Sequence, residues 1–335
     1  MKRSTLTLLL VLSLLWLYVP ILSAAPLEQA PSETPEEEVG EEMIAFPVFD
    51  PERKTYDIYL ARPDGSEMQK LIEDASQPAI SPDGTAIIFR SWTPGKDRGL
   101  FVRDLTGERP DWHFLPYPPA SRPSWASQGQ FFLLHSRHHS DRISHIYRSV
   151  GADIVPIRRP DVDKDILGEM PALIDDGHFI YRACEFNKCG LIIRDINGAF
   201  PRMLTEDMSD TAPAPSPDGT MVAFMSYDRD KNWEVYVINI DGTGLTRLTE
   251  NPGRDGIPTW SPDGKMVVFA SERDGVWGIW AVNPDGTEEH KLFDLPGSID
   301  GHVRDYPDYD SLGWFEERIF WCPDITPAVL LPAAG

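Results

Sequence analysis

The chain has 335 residues and carries 53 acidic against 31 basic side chains, which gives a formal net charge of −22. Such a surface repels the phosphate backbone of nucleic acids and the headgroups of anionic lipids, so we expect no nucleic-acid partner. The length would allow two domains, but the repeats described below run from about residue 44 to residue 322 and predict one large repeat domain.

The N-terminus has the pattern of an export signal. Lys2 and Arg3 give a charged start, an apolar run follows over residues 6–22, and the small residues 23–25 offer a cleavage site. We interpret residues 1–25 as a signal peptide, with an uncleaved anchor as the alternative because the run approaches the length of a spanning helix. Both interpretations predict a periplasmic or secreted protein without another integral membrane segment.

Three further segments follow the signal peptide. Residues 26–42 are acidic and poor in apolar side chains, and this composition predicts a disordered linker. Residues 43–323 contain the repeats and are predicted to form one domain. Residues 324–335 are expected to be a C-terminal tail.

Six glycine turns recur along the repeat domain at nearly constant spacing. The steps between successive glycines are 42, 44, 47, 44 and 44 residues, and the glycines are Gly65, Gly107, Gly151, Gly198, Gly242 and Gly286. A period of about 40–45 residues with strand-like content is typical of β-propeller blades. We therefore predict an all-β protein, a six-bladed propeller of four-stranded antiparallel blades.

A second turn motif, Ser-Pro-Asp-Gly, occupies residues 81–84, 216–219 and 261–264. Proline presets φ at the second turn position, aspartate bonds nearby backbone amides, and glycine supplies a positive φ where the next strand starts. The strands between the turns are nearly continuous apolar runs, which indicates sheets covered on both faces.

The two ends of the domain are predicted to close the ring. The first repeat begins at Ile44, which matches the second strand of a blade, so its innermost strand is missing. Residues 312–314 align with residues 258–260 of the last full repeat, so that Trp314 corresponds to Trp260, and we expect this segment to supply that strand. Residues 318–322 then look like a spare second strand, so a seven-bladed propeller is the alternative.

These turns resemble the TolB-type (WD-type) propeller repeat, which is also found in tricorn protease and in some prolyl peptidases. The resemblance covers residues 44–322 and is strongest at the three Ser-Pro-Asp-Gly turns. It implies a periplasmic or secreted six-bladed propeller. It implies no specific activity, because the matching residues belong to turns and core.

The cysteines suggest a structural role. Cys184 and Cys189 flank a short turn between two strand-like runs, and in an exported protein this spacing favours a disulfide across a hairpin. Free thiols and a metal-binding pair are the alternatives. Cys322 lies in an apolar stretch and is expected to be a small core residue.

No catalytic motif is evident, since the sequence has no Gly-x-Ser-x-Gly elbow, and we predict no catalytic residues. The histidines of the third repeat are interpreted as part of a polar turn; they are His135, His138, His139 and His145. Two acidic stretches, residues 161–165 and 228–232, imitate only the start of a calcium loop. We therefore predict no metal or cofactor, with calcium or another divalent cation as the alternative.

Polar residues that enter each innermost strand are expected to line the mouth of the central funnel. Convergent polar groups in a concave site are the default binding hypothesis. The predicted ligand-binding residues are Gln77, Arg122, Glu169, Asp210, Asp255, Arg304 and Asp310. We favour an exported, non-enzymatic propeller that binds a protein or peptide partner there. The alternative is a carbohydrate-active lyase or hydrolase on the same scaffold, with a cation as a possible requirement.

Overall fold

The computed structural model describes residues 41–93, 99–114, 120–137, 143–151, 153–303 and 313–325. Within these ranges the chain forms β-strands joined by turns, and its helical structure is one 3₁₀ turn, Trp314–Glu316. The described residues contain no helix that is long and apolar enough to cross a membrane. Arg304, Asp310, His138 and His139 lie outside the described residues.

Six four-stranded antiparallel sheets form the blades, as the sequence predicts, and no seventh is present among the described residues. The strands of blades 1–3 are β1 (Glu41–Asp50), β2 (Thr55–Ala61), β3 (Gln69–Ile72); β4 (Ala75–Ile80), β5 (Ala86–Ser91), β6 (Gly99–Asp104), β7 (Trp112–Phe114); and β8 (Ser121–Trp125), β9 (Phe132–Arg137), β10 (Ser144–Val150), β11 (Asp153–Pro156). A small hairpin follows, made of β12 (Arg158–Arg159) and β13 (Lys164–Asp165).

The remaining blades have the same order of strands. Those of blades 4–6 are β14 (Glu169–Leu173), β15 (His178–Glu185), β16 (Lys188–Asp195), β17 (Arg202–Met203); β18 (Thr211–Pro215), β19 (Met221–Ser226), β20 (Glu234–Asn239), β21 (Thr246–Arg247); and β22 (Asp255–Trp260), β23 (Val267–Arg273), β24 (Val276–Val282), β25 (His290–Asp294). The last strand, β26 (Phe320–Ile325), pairs with β1 and completes blade 1.

Closure by the two chain ends is confirmed, but the predicted closing segment is wrong. Trp314 lies in the 3₁₀ turn, whereas in β26 Trp321 pairs with Ile44. Trp260 pairs with Val267 in blade 6, so Trp321 is its counterpart and the prediction was displaced by seven residues. The supposed spare strand is the innermost strand of blade 1. Trp314 and Trp321 have similar apolar neighbours in the sequence. Only the pairing register shows which of them lies in the closing strand.

The Ser-Pro-Asp-Gly turns end the innermost strands as their chemistry predicts. In the turn that follows β4, the Ser81 hydroxyl donates to Asp83 over 2.5 Å and accepts the Ala86 N–H over 2.9 Å. Gly84 has a φ of 68°, which side chains disfavour, and its N–H donates to the Ser81 carbonyl. In the three blades that contain this turn, these bonds join the innermost strand to the second strand of the blade.

The middle strands are buried on both faces because each blade lies between two neighbours. Ile87, Ile88 and Phe89 are consecutive in β5, and all three are buried. Their side chains alternate between the two faces of the sheet, so they pack into separate apolar clusters. The continuous apolar runs of the sequence follow from this arrangement.

Candidate binding site at the funnel mouth

The innermost strands begin on one face of the propeller, which we call the funnel-mouth face. In five blades the entry position of the innermost strand lies within the first two residues of that strand; the residues there are Ser76, Ser121, Glu169, Thr211 and Gly256. In blade 1 the equivalent position is Glu317, four residues before Trp321. The sequence alignment on Trp314 predicts Asp310 at this position and does not identify Glu317.

Each of these five strands contains a bulge directly after its entry position. The bulged residues have φ between 46° and 57°, and each precedes a proline; they are Gln77, Arg122, Met170, Ala212 and Ile257. The pairing register shifts at the same place in every strand. A proline cannot donate to the sheet, so the bulge accommodates it while the strand continues.

Arg122 closes the mouth of the axis with the turn that precedes β26. Its Nε donates to the Glu316 carbonyl over 3.0 Å, and its Nη2 donates to the Phe315 carbonyl over 3.3 Å and to the Glu317 carbonyl. Its backbone N–H donates to Gln77 Oε1 over 2.8 Å. Two predicted site residues, Gln77 and Arg122, are therefore in contact, and their bond joins the innermost strands of blades 2 and 3.

Trp314 covers the neighbouring part of the mouth. A Cβ atom at Gly256 would lie 2.9 Å from the Trp314 ring, so only glycine leaves room for it. The same ring contacts Trp277 and Trp233, with centroids 5.2 and 6.1 Å apart. The 3₁₀ turn is thereby held against blades 5 and 6.

The axial cavity below this turn is small. It measures about 20 Å³, which is room for about one water molecule. The described residues that line it are Arg122, Met170, Pro171, Ala172, Pro213, Ala214, Ile257, Pro258, Thr259, Glu317 and Arg318. A peptide or sugar does not fit among them, so a ligand of that size would have to bind outside the axis.

The predicted acids Asp210 and Asp255 do not face an open funnel. Both are fully buried. Arg229 donates to both oxygens of Asp210 over 3.0 and 2.6 Å, and Asp255 pairs with Arg273 over 3.4 Å and accepts from Asn251. Burial raises the pKa of Asp255 to about 6. The Asp210–Arg229 pair lies within blade 5, and the Asp255–Arg273 pair lies within blade 6.

Of the three predicted acids that the structure describes, Glu169 is the one that remains accessible. Its side chain is 26% exposed and accepts from Ser144 Oγ over 2.9 Å and from Arg182 over 3.2 Å. Beside it His135 is buried, and its Nδ1 accepts the Met170 N–H over 3.1 Å. Burial lowers the pKa of His135 to about 4, so this histidine is neutral at pH 7.

A groove of about 350 Å³ passes beside Glu169 on the funnel-mouth face, between blades 3 and 4. We call it the blade 3–4 groove; it is lined by Ile143, Ser144, Leu167, Gly168, Glu169, Arg182, Ala183, Cys184, Cys189, Gly190 and Met208. Three of its apolar side chains are exposed, Ile143 by 44%, Leu167 by 46% and Met208 by 61%. Exposed apolar side chains grouped around a concave surface are typical of protein-binding sites.

The β15–β16 hairpin forms one wall of the groove. Cys184 and Cys189 face each other across it and are joined by a disulfide bond. The turn residues Phe186 and Asn187 have φ of 53° and 61°, and the Phe186 side chain is 65% exposed. A phenylalanine in this backbone conformation is unfavourable, so the turn holds an apolar ring in solvent at an energetic cost.

The possible metal ligands are engaged with protein groups. Asp161 and Asp163 pair with Arg159 and Arg158, whereas Asp165 pairs with Arg158 and His145. In the second acidic stretch, Asp228 and Asp230 pair with Lys231 and Arg247. Among the described residues, no three His, Cys, Asp or Glu side chains are grouped to hold a metal ion.

Comparison with known proteins identifies the type of propeller. Residues 163–300 match a family model described as the TolB beta propeller domain. The fold is similar to the crystal structure of TolB from Acinetobacter baumannii, with a TM-score of 0.62 and 19% identity over 76% of this chain and 64% of that chain. The propeller thus resembles the TolB type, and the family match covers residues 163–300. The resemblance predicted from the turn motifs is confirmed.

Two curated relatives share parts of this TolB-like propeller. An uncharacterized protein of Agrobacterium fabrum, Atu1656, is 30% identical over 46% of this chain and 51% of its own length. The Tol-Pal system protein TolB of Alcanivorax borkumensis is 46% identical over 19% of this chain and 15% of its own length. The chain thus spans about half the length of the first relative and less of the second.

The TolB-like propeller also resembles an enzyme. Oligogalacturonate lyase from Vibrio parahaemolyticus superposes with a TM-score of 0.52 and 13% identity over 77% of this chain and 81% of that chain. At this level of identity the similarity shows the fold alone, and activity has to be argued from the residues of this chain.

Proposed function

We propose that this chain is an exported, non-enzymatic propeller that binds a protein partner on its funnel-mouth face, in the blade 3–4 groove. The groove itself is the observation that carries the proposal, because it combines exposed Leu167 and Met208 with the accessible carboxylate of Glu169. Two of the similar proteins described above are TolB, one of them a component of the Tol-Pal system. Export rests on the charged and apolar pattern of residues 2–25.

The partner that fits the groove is an extended peptide segment with an apolar side chain next to a lysine or arginine. The apolar side chain would cover Leu167 and Met208, and the cation would lie near Glu169. The chain carries a net charge of −22, which attracts a basic segment and speeds its encounter. Arg182 already pairs with Glu169, so the cation adds to an existing ion pair and need not replace it.

The test uses the chain without residues 1–25 and a random peptide library displayed on phage. Selected peptides are synthesised, and their dissociation constants are measured by fluorescence anisotropy with the wild type, with Leu167→Asp and with Leu245→Asp. Leu245 is the matched control because it is also 46% exposed but lies in the turn between β20 and β21, on the opposite face.

We expect peptides that combine an apolar residue with a basic one, and a loss of affinity of at least about tenfold in Leu167→Asp alone. Peptides that bind Leu167→Asp as well as the wild type would refute the groove as the site. Equal loss in both variants would place the binding elsewhere or make it nonspecific.

We propose further that binding needs no metal ion. The same anisotropy measurement after treatment with EDTA, and again after addition of Ca²⁺, checks this. An affinity that falls with EDTA and returns with Ca²⁺ would support the cation alternative instead.

A further inference from the structure

Glu317 is a buried carboxyl group without a protein hydrogen-bond partner. It lies in the turn that leads into the closing strand, and its exposed fraction is 0%. Among the described residues no donor reaches either carboxylate oxygen in hydrogen-bonding geometry. An unpaired carboxyl in such a place is costly, and a bound water or ion is the usual reason that it is tolerated.

The charged neighbours of Glu317 direct their donors elsewhere. Arg122 donates to the carbonyls of the turn, and Arg318 donates to the Pro123 carbonyl. Arg90 lies near the carboxyl but donates to Ser121 and covers the Trp92 ring, 3.8 Å from its centroid. The hydroxyl of Ser76 also faces the carboxyl, and it accepts the Trp92 indole N–H over 2.9 Å.

Glu317 lines the axial cavity, which has room for about one water molecule. We infer that this cavity is a binding site for one ordered water, which donates a hydrogen bond to Glu317 and links the closing strand to the innermost strands around it. The class of ligand is a neutral hydrogen-bonding molecule of the size of water. The cavity would thus contribute to ring closure, beside the direct contacts of Arg122.

A cation fits this site poorly. Glu317 is the one carboxylate among the described residues that line the cavity, whereas two guanidinium groups, Arg122 and Arg318, line it as well. A bound cation would meet their repulsion with a single carboxylate ligand, and the divalent ions need more oxygen ligands than this. A neutral ligand avoids that repulsion.

The protonation state of Glu317 agrees with a neutral ligand. Burial is the largest cause that raises the pKa of this carboxyl to about 8, and Glu316 raises it further. Arg90, Arg122 and the nearby Ser76 hydroxyl act in the opposite direction without cancelling the effect of burial. At pH 7 the carboxyl is mostly protonated, so it can both donate to and accept from a water molecule.

The decisive experiment is crystallography of the chain without residues 1–25 at pH 6.5, to about 1.2 Å resolution so that a water can be refined with confidence. Crystals of the wild type, of Glu317→Gln and of Glu317→Leu are compared, and each is also soaked in rubidium chloride. Rubidium scatters anomalously, so the soak distinguishes a monovalent cation from a water.

We expect one spherical density peak within hydrogen-bonding distance of Glu317, present in the wild type and in Glu317→Gln, and without anomalous signal. Leucine at position 317 should exclude it. If Glu317→Leu does not fold, the glutamine variant still decides, because glutamine offers the same hydrogen-bonding atoms without a titrating group. An anomalous rubidium peak, a carboxyl bonded directly to protein groups, or no density beside it would each overturn the inference.

Discussion

Arg122, on the innermost strand of blade 3, donates a hydrogen bond from Nε to the carbonyl oxygen of Glu316, 3.0 Å away across the funnel mouth. The two residues are 194 positions apart in the chain. Their contact joins the turn that precedes the closing strand to the innermost strand of blade 3, so ring closure involves a side chain that the sequence pattern predicts as a ligand group.

We expect Arg122→Met to destabilise the propeller by about 2–4 kcal/mol, because one buried and two partly buried carbonyls lose a charged donor while the apolar stem is kept. The free energy of unfolding is measured by urea titration. Arg158→Met is the control, since the Arg158 side chain is 56% exposed and its ion pairs contribute at most about 1 kcal/mol. Equal effects of the two substitutions would contradict the role given to Arg122.

Glu317 should make stability fall as the pH rises. Its folded pKa, about 8, lies above the ordinary value of 4.5, so the folded protein holds this proton more tightly than the unfolded chain does. The contribution is fully present below pH 4.5 and is lost progressively up to about pH 8, by up to about 5 kcal/mol. Glu317→Gln removes the titration, so its stability relative to the wild type should increase between pH 5 and 8. A constant difference over that range, measured by urea titration at each pH, would show that the carboxyl is not neutral when folded.

His135 should make the stability of the protein fall as the pH falls, which is the opposite of the effect of Glu317. Its folded pKa, about 4, lies below the ordinary value of 6.5, so the unfolded chain binds the proton first as the pH falls. Stability is lost from about pH 6.5 down to pH 4, by about 1–3 kcal/mol from this group. His135→Gln should flatten this part of the pH profile of the wild type. His178→Gln is the control, because the His178 side chain is 54% exposed, and it should leave the profile unchanged.

Phe186→Gly should stabilise the protein, although it removes a large side chain. Glycine adopts the positive φ of this turn position without strain, and the gain should be about 1 kcal/mol, measured as the midpoint of thermal unfolding. Asn187→Gly is the matched control; asparagine tolerates the same backbone conformation, so its gain should be a few tenths of a kcal/mol. A loss of stability in Phe186→Gly would mean that the exposed ring packs against the protein.

The repeat architecture could be predicted from sequence because it depends on local chemistry that recurs. Ser81, Asp83 and Gly84 make the bonds of one turn within a few residues of each other, and the same arrangement appears in three blades. Each turn also ends a strand that is apolar on both faces, so the period of about 44 residues was readable without any knowledge of distant contacts.

The site was less predictable because burial and pairing depend on distant parts of the chain. The polar pattern marked Asp210 and Asp255 as ligand groups, yet Arg229 and Arg273, 18 or 19 positions away, pair with them inside the blades. The blade 3–4 groove joins residues of five separate segments, such as Leu167 and Met208, which have no common motif. The charge of a side chain is visible in the sequence, but its partner is not.

The sequence by itself determined the number and type of blades, since hairpin turns and apolar strands are specified by neighbouring residues. Which tryptophan closes the ring was decided only by the tertiary structure. Trp321 and Trp314 are similar in local context, but only residues 320–325 can pair with β1, and only the turn at Trp314 can cover Gly256. The register between β26 and β1 places Glu317 at the axis. This register depends on two chain ends that the whole ring brings together, so the sequence near either end does not specify it.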